Sequence, residues 1–271
     1  MKKYFGIGVV VFFLTIFLGN AYVKKAEAIS HPVISLPKNA KEVSPNLYDL
    51  GKKTDSHGRE LQGYAFVKRQ ENAKSSNSRK PGGGSSTASC YSYLSKGAKW
   101  KSNEPWLMNT SNIRGLDDVE LFSKQDVNIQ KWENAASFNI LGSGATTSAA
   151  LSADFTTLDE INEVYFADIS DPGVIGVTVV WGIFGGAPQS RELVSWDQVF
   201  DDVDFDWSLT GETGKMDFDN ISTHELGHAV GMADLYDSNC SSMTMYGYAS
   251  EGDTNKATLE DGDINGVSKL Y

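Results

Sequence analysis

Four residues near the carboxyl end have the types and spacing that metal-assisted hydrolysis requires. In His224-Glu225-Leu226-Gly227-His228 the two histidines are four positions apart. On a helix that spacing puts both imidazoles on one face, one above the other, within reach of a single ion. Zinc takes imidazole nitrogen readily, and with three protein ligands it keeps a position for water, whose pKa it lowers towards neutrality. Glu225, beside the pair, can take a proton as a carbonyl is attacked and hand it to the departing amine. This is the chemistry of peptide-bond hydrolysis.

The chain holds four histidines, so the third ligand is sought by elimination. His31 and His57 lie far upstream in the sequence. Gly231 can adopt the left-handed conformation that ends a helix sharply, and a chain reversing there brings Asp234 back towards the two rings. A carboxylate oxygen is an acceptable zinc ligand, and Asp237 is the nearest competing carboxylate. Asp217 or Asp219 is placed to cap the helix that carries the histidines.

The full stretch from His224 to Asp234, H-E-x-x-H-x-x-G-x-x-D, resembles the metzincin clan of zinc endopeptidases in the variant whose third ligand is Asp. Two further segments are similar to its matrixin-like branch. Ser242-Met243-Thr244-Met245-Tyr246-Gly247-Tyr248 resembles the Met-turn, with Met245 as the methionine beneath the metal and Met243 as the second choice. Leu259 to Tyr271 is similar to the last matrixin helix. The resemblance runs over about Lys99 to Tyr271 and is dense only towards the end. It implies an α+β, zincin-like metzincin catalytic domain: a twisted mixed sheet, an active-site helix and a small C-terminal subdomain ending in a helix.

Other elements must position that site. Trp106 to Thr110 reads as a first strand, and Val119, Phe122, Ile129, Trp132 and Ala136 recur near helical spacing with their apolar side chains expected in the core. Glu163 to Ala167 and Gly173 to Trp181 read as strands, with Val177 to Trp181 buried on both faces. Asp202-Val203-Asp204-Phe205-Asp206-Trp207 alternates acidic and apolar residues, the pattern of a strand with one wet face. By the resemblance, this would be the sheet edge above the cleft, to which an extended substrate adds as an antiparallel strand.

Upstream, Met1-Lys2-Lys3, the apolar run Tyr4 to Leu18 and Ala26-Glu27-Ala28 have the three parts of a secretory signal, with cleavage expected after Ala28. The apolar run is shorter than the roughly 20 residues that span a bilayer. Residues 29–89 then read as a propeptide closed by a Gly/Ser-rich linker, with strand character only at Leu61 to Val67, and residues 90–271 as the catalytic domain. The Gly-rich junction has no cysteine for a matrixin-type thiol switch, so a propeptide that blocks the metal must do so by other means. Cys90 and Cys240 are expected to pair in an oxidising compartment, closing a loop of about 150 residues worth about 4 to 5 kcal/mol in the chain-entropy model. The rival reading makes Cys90 a thiolate on zinc in a latent form.

The net charge of −11 argues against nucleic acid or an anionic membrane surface as partner. Asp261-Gly262-Asp263-Ile264-Asn265-Gly266 matches half of an EF-hand loop, but its twelfth position falls past Tyr271, so a capped helix is expected there and calcium is the lesser, structural alternative to zinc. The sequence thus reads as a secreted, monomeric zinc endopeptidase acting on protein or peptide substrates, with metal ligands His224, His228 and Asp234 and general base Glu225. Two alternatives stand beside it. One is a gluzincin-type enzyme with Glu251 as third ligand, and the other a secreted metal- or calcium-binding protein without activity.

Overall fold

The computed structural model describes residues 31–71 and 90–271. Residues 1–30 and 72–89, which hold the expected signal segment and the Gly/Ser-rich stretch, lie outside the described residues.

In chain order the strands are β1 (Val33–Ile34), β2 (Lys41–Ser44), β3 (Leu47–Thr54), β4 (Glu60–Gln70), β5 (Trp106–Met108), β6 (Gly144–Thr146), β7 (Asn162–Ile169), β8 (Val174–Ile183), β9 (Glu192–Asp201), β10 (Trp207–Ser208), β11 (Met216–Asp217) and β12 (Tyr248–Ala249). The helices are α1 (Asp118–Ala136), α2 (Phe218–Ala229) and α3 (Asp261–Leu270). Among the described residues one sheet holds ten strands in the order β2-β3-β4-β8-β9-β7-β5-β6, with β1 joined to β7 and β12 to β4. It is mixed: β7 runs parallel to β5 and β9, while β8 is antiparallel to both β9 and β4. Sheet plus helices give the α+β architecture expected from the sequence.

The central strands are β-branched and aromatic because both of their faces are covered. On one face Trp106, Phe166, Val180 and Phe200 pack against Leu121, Ile129 and Trp132 of α1, Ile221 and Leu226 of α2 and Val267 of α3. The opposite face buries Leu61, Val67, Tyr165, Val179, Trp181 and Val199. Helix α2 therefore lies against the first face, with Glu225 under β8 and the histidine pair under β4.

Three expectations are corrected. The first concerns residues 29–89, expected to hold one strand: residues 33–70 contribute β1 to β4, and β4 is an interior strand between β3 and β8. Its polar composition reflects the exposed β2 and the half-exposed β3, which carry polar side chains on their wet faces. The second concerns the acidic alternation, which is not a strand. Asp201 Oδ1 accepts from the amides of Val203 and Asp204, a side-chain turn that ends β9. Asp202 is buried, accepting from the Ile113 amide and ion-paired with His31, while Val203 is exposed. Among the strands of residues 90–271 the sheet edges are β8 and β6, and β8 is the one beside α2. The third concerns α1, which forms as expected, yet Val119 is 79% exposed while Gln125 and Asn128 are buried. Gln125 bridges the layers, donating to Gln198 Oε1 of β9 and accepting from Ser222 Oγ of α2, so its burial is satisfied.

Candidate metal centre

Asp217 caps α2, its carboxylate accepting from the Asn220 amide at 2.9 Å. The helix stops at Gly231, whose φ of +100° only glycine adopts without strain. There the Met232 amide turns back to Gly227 O at 2.8 Å. The Ala233 amide is then held by Ser92 O, and the Leu235 amide by Met245 O. Asp234 is fixed between these two anchors.

The result is a convergent triad. The rings of His224 and His228 stand nearly perpendicular, 89°, with centroids 4.9 Å apart. Asp234 Oδ1 lies 3.3 Å from His224 Nε2 and 3.6 Å from His228 Nε2. Both far nitrogens are engaged: His224 Nδ1 lies 2.6 Å from Thr244 O and His228 Nδ1 lies 3.1 Å from Met232 O. A proton on each Nδ1 donates to these carbonyls, which leaves each Nε2 lone pair facing Asp234. His224 Nε2, Asp234 Oδ1 and Glu225 Oε1 are all buried without a hydrogen-bond partner. Orphaned polar atoms in a dry place are costly, and a cation between His224 Nε2 and Asp234 Oδ1 satisfies both. The donor set of two imidazoles and one carboxylate, with one ligand atom from each residue within 4.8 Å of the others, fits zinc.

Burial sets the electrostatics. It pushes the His228 ring down to about 3 and drives His224 well below the usual imidazole range, so both are neutral, the form that ligates. Burial pushes the Glu225 carboxyl up to about 8, opposed by the Thr178 hydroxyl and the Lys68 charge. Thr178 Oγ1, on β8, donates to Glu225 Oε2 at 2.5 Å, which fixes the carboxylate plane and leaves Oε1 as the free oxygen.

Met245 is the methionine beneath the site. It is fully buried, and a Cβ added at Gly227, between the two histidines, would overlap its Sδ and the Trp132 ring. Met243 lies elsewhere, against Gly262 and Cys90. The turn is held by Asp263, whose carboxylate accepts from the Thr244 and Met245 amides at 2.8 and 3.2 Å. Cys90 and Cys240 form a disulfide, so Cys90 is not a thiolate on the metal. Glu251 is exposed and outside the cluster, which removes the gluzincin ligand set, and Asp237 caps a short 3-10 turn.

Several contributors escaped the sequence. Tyr236 Oη is 3.1 Å from Asp234 Oδ2 and accepts from Asn46 Nδ2. Thr178, Phe66 and Lys68 come from strands whose alternation marks them only as facing inwards. Asp263 was visible, but as part of an EF-hand-like run.

No curated protein matches the chain. The family model for matrixin matches residues 98–271, which is more than half of the 271 residues and includes every residue of the triad. Within that span the ligand helix, the Gly231 reversal and the methionine turn occupy the places the resemblance implied, and the chain belongs to the matrixin family of zinc-dependent metalloproteases.

Proposed function

We propose that the chain is a secreted zinc endopeptidase in which His224, His228 and Asp234 hold the metal and Glu225 is the general base and then the general acid. One observation carries the reading: ligand atoms of all three residues lie within 4.8 Å of one another, and His224 Nε2 and Asp234 Oδ1 among them, like Glu225 Oε1 of the same helix, are buried without a hydrogen-bond partner. Zinc held by these three residues would supply a Lewis acid for a carbonyl and would lower the pKa of a water towards neutrality. With a cation held beside it, whose charge would favour the ionised carboxylate, Glu225 would take a proton from the attacking water at Oε1 and deliver it to the leaving nitrogen, while Thr178 keeps Oε2 from competing. The neutral His224 and His228 are oriented through their Nδ1 contacts, and Asp234 is oriented through Tyr236.

Glu225→Gln tests this directly. Zinc content is expected to stay that of the wild type while casein hydrolysis falls by about 10²–10⁴-fold. Full activity in that variant refutes the role of Glu225.

Secretion rests on the signal pattern of residues 1–28, and residues 29–89 are proposed as the propeptide of a zymogen. N-terminal sequencing of the exported product, expected to begin at Ile29 or after the linker, checks both. The protein acts on peptide or protein substrates as a monomer in this reading. Calcium has no role at Asp261–Gly266, because that stretch forms α3 and the Asp263 carboxylate is spent on backbone amides.

A further inference from the structure

Strand β4 lies over the metal ligands. It pairs antiparallel with β8 from Gln62 opposite Gly182 to Arg69 opposite Val174. Past the end of β3, its other edge is taken by β12, which runs parallel to it with Tyr248 opposite Arg69 and Ala249 opposite Gln70. Side chains two positions apart share one face of a strand, and Phe66 and Lys68 both enter the face that carries α2. The Phe66 ring stacks on His228 with centroids 3.8 Å and planes 8° apart. Lys68 Nζ donates to Tyr246 O at 2.7 Å and lies 3.1 Å from His224 Nδ1. The residue opposite Phe66 on β8 is Thr178, which holds Glu225.

Under this cover His224, Glu225 and His228 are at most 1% exposed. No external polypeptide can bring a carbonyl to Glu225 Oε1 while β4 is in place, yet a protease must admit one. The covering strand is extended, runs through the only sheet edge that residues 90–271 present beside the metal among the described residues, and fills the space with one aromatic and one long basic side chain. These are the attributes of a bound peptide.

Resting on the reading of this centre as a peptidase, we propose that β4 stands in the substrate's place. The groove between β8 and β12 accepts an extended peptide running in the direction of β4, with an aromatic side chain over His228 and, two residues later, a long basic one reaching the Tyr246 carbonyl. The intact chain is latent because its own strand fills that groove. A tethered strand has an effective concentration on the order of millimolar, which free substrate at micromolar levels does not match until the link to residues 90–271 is cut. The interior position of β4 fits this account: whatever replaces it must itself be a strand to satisfy the edge of β8.

The test uses the full chain carrying Glu225→Gln, which removes self-processing, and a fluorescent peptide of sequence Leu61–Gln70 read by anisotropy. The expected result is no binding to this chain and saturable binding once Phe66→Ala and Lys68→Ala are added. A peptide lacking both side chains should bind at least about tenfold more weakly, a 1.4 kcal/mol difference. A double-substituted chain that binds neither peptide, while its circular dichroism matches that of the parent, overturns the proposal. If that chain does not fold, Lys68→Met keeps the packed stem and replaces it. In parallel, the uncut zinc-loaded chain with Glu225 intact, its mass checked before and after, should cleave a fluorogenic peptide at least about tenfold slower than its Lys68→Met form. Equal, measurable rates overturn latency. Absence of hydrolysis in every chain, with the labelled peptide still binding the variant, counts against the peptidase reading and supports the occupancy.

Discussion

Two regions meet at the metal centre by different routes. The stretch from Asp217 to Met245 reaches it locally: a cap, one face of a helix, a glycine reversal and a return turn deliver two imidazoles, a carboxylate and a thioether within 29 positions. Strand β4 reaches the same place across a separation of 156 residues between Lys68 and His224, through sheet pairing with β8. The local region decides what can be bound and what chemistry can follow. The distant one, in the proposal above, decides who may enter. The two are not independent, since Phe66 stacks on His228 and Tyr236 links Asp234 to Pro45 and Asn46.

The sharpest way to break this division is Asp234→Ala. It removes a ligand and is expected to weaken zinc binding by more than about 100-fold, beyond the loss typical of an outer partner, with all proteolysis lost. Dialysis against a zinc buffer followed by metal analysis measures it, and unchanged zinc would place the third ligand outside the local stretch. Next comes the bond that ties the start of the catalytic part to the loop before the Met-turn. Replacing Cys90 and Cys240 with Ser is expected to cost about 2–5 kcal/mol of stability, read as a lower denaturant midpoint, with the triad geometry still formed at low temperature.

Gly227→Ala is expected to destabilise by roughly 1–3 kcal/mol, because the added methyl meets Met245 and the buried Trp132 ring. Melting with and without zinc separates this packing cost from ligand loss. Tyr236→Phe sharpens the comparison from the other side, since Tyr236 touches both regions: Asp234 on one hand and Pro45 and Asn46 on the other. Its loss should lower zinc affinity by about 10-fold, in the range of an outer partner, as measured by competition with a chelating dye.

The smallest effect concerns the far face of the sheet. Burial, reinforced by Asp159, pushes the Asp154 carboxyl up to about 7, and burial with Asp154 as neighbour raises Asp197 as well. A carboxyl whose folded pKa is raised binds its proton more tightly when folded. Its contribution to stability is therefore complete below the unfolded value of about 3.9 and lost as pH rises through about 7. Melting temperature should fall across that window more steeply in the wild type than in Asp154→Asn. An unchanged slope would show that the far face does not titrate with folding.

Legibility in the sequence followed the same division. The candidate ligands His224, His228 and Asp234, which the structure brings together, the candidate base Glu225, the cap Asp217 and the buried Met245 were all readable, because helix periodicity, a positive-φ glycine and short turns relate residues that are close along the chain. The strands β7 and β8 and helix α1 were readable from their periodicity. The alternation at Asp202 to Trp207 misled because a side-chain turn at Asp201 satisfied the backbone before a strand could form, a competition that composition does not display.

What the sequence determined by itself was the chemistry: which side chains could share an ion and which carboxylate stood beside it, since those distances are set by a 1.5 Å rise per residue. What only the tertiary structure decided was the state of the site. Strand pairing has no local ruler. Whether Leu61 to Val67 flanked the sheet, lay apart from it or covered the metal depended on edge complementarity between distant segments, and the coordinates place Phe66 against His228 and Lys68 beside His224.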